Sequence, residues 1–114
     1  MEKISVEHLM ELYINTLEKC GKYLLEEQDE LIEYNIFEEF DTGVISFLHK
    51  DSLKRLHKAG LINNDIVQKS THLRELVLNM QKGDEWNIHS VKSSPEWMRI
   101  FNLTDEIREE VKQS

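Results

Sequence analysis

The first two dozen residues repeat their apolar side chains at steps of three and four. Val6, Leu9, Met10, Tyr13, Leu17, Cys20 and Leu24 fall on one stripe of an α-helix, with Glu7, His8, Glu11, Asn15, Glu18, Lys19 and Lys22 facing out. Ser5 stands where a hydroxyl can accept from an unpaired N–H of the first turn, so the pattern predicts a helix over about 5–27. Leu31, Ile32, Tyr34, Ile36, Phe37 and Phe40 come more densely and less regularly, and predict a short helix near 29–39. Asp41-Thr42-Gly43 offers N-cap chemistry for a helix carrying Val44, Ile45, Phe47 and Leu48, with Asp51-Ser52 a candidate interruption before Leu53 and Leu56.

Gly60, just after Lys58 and Ala59, reads as a helix stop, because glycine takes the left-handed cap and lysine suits the negative end of the dipole. Asn63-Asn64-Asp65 caps the next helix, with Ile66, Leu73, Leu76, Val77 and Met80 inward and Gly83 at its end. Ser94-Pro95 marks another start, followed by Trp97, Ile100 and Phe101, and Thr104 reads as the cap of a last helix carrying Ile107 and Val111. The strand-like pieces VISF and NIHSV are too short and isolated to suggest a sheet. The expectation is an all-α, single-domain bundle of about five or six helices over residues 1–114.

Composition narrows the class: 39% hydrophobic and 32% charged residues are too apolar for a disordered chain and too polar for a membrane protein. No apolar run reaches the ~18 residues of a bilayer span. The N-terminal MEKISVEHLMEL mixes acids with apolar residues, unlike the continuous apolar region of a secretory signal. A single cysteine, Cys20, excludes an internal disulfide and fits a reducing, cytoplasmic setting.

Charge changes the picture most. The segment LLEEQDELIEYNIFEEFD, residues 24–41, holds eight acids (Glu26, Glu27, Asp29, Glu30, Glu33, Glu38, Glu39 and Asp41) and no base. Setting those eight aside leaves 14 acids against 14 bases, so the whole net charge of −8 belongs to this window. Such a surface repels the phosphates of nucleic acid and of anionic membranes, and favours cationic partners. A charge run is commonly a solvated helix face. Here, however, no lysine is interleaved among the acids to relieve the repulsion, whereas Tyr34, Phe37 and Phe40 are. A cationic protein partner would use both features, charge for steering and rings for buried contact.

Catalytic chemistry finds little support. His8, His49, His57, His72 and His89 never pair at the i,i+3 or i,i+4 spacing of a helical metal site, and no metal or other cofactor is expected. Cys20 sits on the apolar stripe as a small core thiol, and no G-x-S-x-G elbow or Gly-rich phosphate loop occurs. SLKRLHKAGLINNDIVQKSTHLREL does read as helix, glycine turn and helix, with Lys69, Ser70, Thr71, His72 and Arg74 on a face that could enter a DNA groove. Two ordinary bundle helices look the same. Trp97 is expected in the core; Trp86 fits either a core or an interface role.

In size, in charge and in the segment LIEYNIFEEFD the chain resembles the immunity proteins of bacterial toxin systems, the partners of nuclease bacteriocins and of contact-dependent inhibition toxins. LHKAGLINNDIVQKSTHLREL, the following tryptophan and SPEWMRIFNLTDEI are similar to the layout of such proteins in the C-terminal half. The resemblance implies a non-enzymatic, stoichiometric inhibitor that covers a basic toxin domain and takes the place of its phosphate substrate. The expected contact surface is Glu26, Glu27, Asp29, Glu30, Glu33, Tyr34, Phe37, Glu38, Glu39 and Asp41, on a monomer or weak dimer. The alternative is a small helical regulator binding DNA through residues 64–78.

Overall fold

The computed structural model describes residues 4–113. Helix α1 (Val6–Glu18) begins as expected, with Ser5 Oγ accepting from the His8 N–H at 3.1 Å. It ends at Glu18 rather than near 27, because a residue far along the chain caps it: Arg108 donates to the carbonyls of Leu17 at 2.8 Å and Cys20 at 2.5 Å. The chain turns at Gly21, whose backbone lies so close to Asp105 that a Cβ there would collide with the carboxylate. A 3-10 turn, Lys22–Glu26, follows. Cys20 and Leu24 are buried as their place on the stripe predicts, although they are not in α1.

Helix α2 (Asp29–Glu33), a π-helical run (Tyr34–Phe40) and α3 (Asp41–Phe47) form one unbroken rod. Its fully buried apolar residues, Ile32, Ile36, Phe40, Val44 and Leu48, recur every four positions. A step of four over-rotates an α-helix by ~40°, so four such steps would carry Leu48 roughly 160° off the line. The wider i→i+5 turns under-rotate and cancel that drift. This is why the segment is irregular against a 3.6-residue period. The expected break at Asp41-Thr42-Gly43 does not occur. Asp41 has helical backbone angles (φ −57°, ψ −51°) and its carboxylate accepts from the Gln81 side chain instead of capping.

The interruption expected at Asp51-Ser52 falls earlier, at Leu48–His49, where His49 Nδ1 accepts from the Asp51 N–H at 3.1 Å and starts α4 (Lys50–Lys58). Gly60, at φ 78°, makes the left-handed turn that ends it. Helix α5 (Asn64–Lys82) is capped by Asn63 Oδ1, which accepts from the Ile66 N–H at 2.8 Å. The strand-like NIHSV is helical: Asn87 Oδ1 accepts from the Ser90 N–H at 2.8 Å and opens α6 (Ile88–Ser93). Helix α7 (Pro95–Gln113) runs through Thr104 without a restart. Thr104 is buried and its hydroxyl donates back to the Ile100 carbonyl at 2.7 Å, so it is an interior residue and not a cap.

With the rod counted once, the described residues form six helical segments and no strand, within the expected all-α class. Helix α5 lies against α7, α1 packs on both α3 and α7, α4 closes against α1 and α5, and α6 joins α2 to α7. The radius of gyration, 13.8 Å, matches the ~13 Å of a compact chain this long. Trp97, Tyr13, Phe40 and Phe101 are the largest wholly buried side chains. Tyr13 ties α1 to α5 through a 2.6 Å hydrogen bond with Ser70 in the core. Burial pushes the Tyr13 phenol up to about 12 and the Cys20 thiol upward as well, so Cys20 is an inert core thiol.

Candidate functional site

The four-residue repeat that buries one side of the rod leaves the opposite side in solvent. Glu30, Glu33, Tyr34 and Glu38 are exposed there, and with the edge of Phe37 they line one shallow depression of about 380 Å³. None of Glu30, Glu33 and Glu38 forms an ion pair or side-chain hydrogen bond among the described residues. Half of the Tyr34 surface is open, and its hydroxyl donates to Glu39 Oε1 at 2.6 Å. That bond, then the Glu39 charge, raises the Tyr34 phenol above its ordinary value of 10.0. The phenol therefore stays neutral, a fixed apolar ring among acids.

Phe37 is a bridge between this crest and the core. Its ring lies 5.1 Å from Trp86 and 6.3 Å from Trp97, and Trp86 in turn lies 5.4 Å from Trp97. The Trp97 indole N–H donates to the Glu85 carbonyl at 2.7 Å, which fixes the inner ring. Trp97 is thus core as expected, and Trp86 is half-buried, its ring tilted against Phe37 beneath the crest. The crest rests on packed aromatic rings, and such packing limits the ordering cost of binding.

The other expected contact residues divide. Glu26 and Glu27 are exposed at the end of the 3-10 turn that leads into the rod. Asp29 is exposed but held at 2.9 Å by Lys92 of α6, and Asp41 is half-buried against Gln81. Burial raises the Asp41 carboxyl above its ordinary range, with the Gln81 hydrogen bond opposing. Asp29 and Asp41 therefore tie the rod to α6 and α5 as well as adding to its charge. Leu31, open over 44% of its surface, was not among the expected contacts and follows Glu30 in the same helix. Only the four-residue repeat of buried positions separates Leu31 from Ile32.

The face considered for DNA lies elsewhere and is differently disposed. Lys69 Nζ is held by Glu110 at 2.7 Å, Asp65 at 3.1 Å and Glu106 at 3.7 Å, and these acids raise its pKa. Ser70 faces the core against Tyr13, and the Arg74 Nε is buried without a hydrogen-bond partner among the described residues. Thr71 and His72 are exposed.

Two further observations bound the chemistry. Among the described residues no three of His, Cys, Asp and Glu converge as metal ligands, and no helix is long and apolar enough to cross a membrane. A groove of about 390 Å³ between α1 and α3 is lined by Asn15, Thr16, Lys19, Glu39 and Thr42 among others. Compared with known protein families, curated proteins and solved structures, the chain has no significant match.

Proposed function

We propose that this protein is a stoichiometric protein-binding inhibitor, an immunity protein that neutralises a basic, nuclease-type bacterial toxin in the cytoplasm through the acidic crest. One observation carries the reading: Glu30, Glu33 and Glu38 surround the open ring of Tyr34 on a single surface and have no cationic partner among the described residues. Like charges held together without relief are destabilising, and a cationic partner turns that repulsion into attraction. The partner's Lys and Arg side chains, which otherwise grip phosphate, pair with the carboxylates, and Tyr34 and Phe37 take the apolar contact. Glu26 and Glu27 extend the field toward the 3-10 turn and steer the encounter.

The disposition of α5 supports this reading over the DNA-binding alternative. Phosphate contacts need free cations, whereas Lys69 is shared by three carboxylates. The test is a nuclease assay with purified basic toxin domains encoded beside this gene. Inhibition that saturates at one protein per toxin supports the proposal. Undiminished nuclease activity with all of them, together with a shifted DNA band at low salt, would favour the alternative.

A further inference from the structure

The acidic crest has a counterpart on the same molecule. Helix α4 carries Lys50, Lys54, Arg55, His57 and Lys58 against a single acid, Asp51. Lys50, Lys54 and Lys58 are exposed and form no ion pair among the described residues. Arg55 is half-buried and donates to the Ile4 carbonyl at 2.7 Å, a neutral acceptor that leaves its charge uncompensated. Lys54, Arg55 and Lys58 line an open depression of about 490 Å³ along the helix with Asp51 and Ser52. In a chain of net charge −8, a helix with four cations and one carboxylate, none of the four in an ion pair among the described residues, has positive charge to offer a partner.

Charge complementarity identifies the occupant. Lys50, Lys54 and Lys58 follow one another at four-residue steps, ~6 Å of rise each. On the crest Glu30, Tyr34 and Glu38 repeat the same four-residue steps, with Glu33 beside the central ring. Laid against the crest, the α4 lysines meet Glu30, Glu33 and Glu38, and the open Tyr34 ring offers a cation–π contact. We propose that α4 docks on the acidic crest of a second copy of this chain, so that the free protein associates reversibly with itself through the surface that a basic partner would compete for.

Salt gives the contact a signature. Two molecules of charge −8 repel each other at long range, whereas the paired helices attract only at contact. Near 0.1 M salt the screening length is ~10 Å, which suppresses the repulsion and leaves contacts intact. Near 1 M it is ~3 Å, and the contacts weaken too; near 0.01 M it is ~30 Å, and repulsion returns. Association should therefore peak at intermediate salt.

Sedimentation velocity on the full chain at the three salt concentrations tests this. The expected mass near 0.1 M is about twice 13.6 kDa, falling to the single-chain value near 1 M. Two charge-reversed variants, K50E/K54E/K58E and E30K/E33K/E38K, should each sediment as single chains, and an equimolar mixture of the two should regain the dimer. The neutral variant K50Q/K54Q/K58Q should lose it without adding like-charge repulsion. A wild-type chain that stays at 13.6 kDa near 0.1 M overturns the proposal, even if its α4 retains heparin. So does a dimer that survives either reversal, or a mixture of two folded variants that does not associate.

Discussion

The hydroxyl of Tyr34 hydrogen-bonds the carboxylate of Glu39, five residues ahead on the same rod. In an α-helix two such residues point ~140° apart. The π turns between them bring them to one side, so the bond and the crest depend on the same local geometry. A spectrophotometric titration reads this directly. All three tyrosines have phenols raised above 10.0: Tyr34 by Glu39, Tyr13 and Tyr23 by burial. The folded protein should thus show no phenol titrating at or below the ordinary value, and Glu39→Gln should bring one of the three down toward it.

Tyr13 makes the alkaline limb of stability. Its neutral phenol is favoured by folding, so its contribution is fully present below the unfolded value of 10.0 and is lost as pH rises toward about 12. Denaturant midpoints should fall over that window. Tyr13→Phe should flatten the fall while lowering stability at neutral pH by about 1–3 kcal/mol, the cost of leaving the Ser70 hydroxyl buried without its partner.

Helix α3 crosses α1 at Gly43, where a Cβ would run into the Thr16 side chain. Gly43→Ala should destabilise by about 1–3 kcal/mol despite alanine's better helix propensity. Thr16→Ala should recover part of the loss in the double variant, since the Thr16 Cβ remains within 2.8 Å of the added methyl position. Thermal melts of the two single variants and the double give the coupling.

Arg108 holds the C-terminal end of α1 by two carbonyls, pairs with Asp105 and sits 5.8 Å from the centre of the Tyr23 ring. Arg108→Ala should cost about 2–3 kcal/mol, as loss of charged hydrogen bonds does. Arg108→Lys should restore only part of this, because one ammonium cannot reach both carbonyls and the carboxylate with the geometry of a planar fork.

Much of the fold was legible because burial follows local spacing. Ser5, Asn63 and Gly60 cap or stop helices where their chemistry predicts, and Leu9, Tyr13, Leu17, Cys20 and Leu24 of the first stripe are buried. Two of the differences have a distant cause: Arg108 ends α1 early, and Gln81 takes the Asp41 carboxylate. Two are local: the Thr104 hydroxyl turns back to the Ile100 carbonyl four residues earlier, and His49 rather than Asp51 opens α4. The acid window was visible as composition. Its division into an open crest and the tethered Asp29 and Asp41 was not, since Lys92 and Gln81 lie far away in the chain. The π register, which decides that Tyr34 points outward, leaves only a run of apolar residues every four positions as its trace.

The central claim is that the crest holds a basic protein. The most direct measurement is the association rate of this protein with the basic partner recovered from its host, for wild type and for E30Q/E33Q/E38Q. The triple variant changes the net charge from −8 to −5 and leaves the Tyr34–Glu39 bond in place. The account predicts association at least ~10-fold slower at low salt and a flatter dependence on salt, the mark of lost steering. An unchanged rate and unchanged salt dependence would contradict it and return the crest to a merely solvated face.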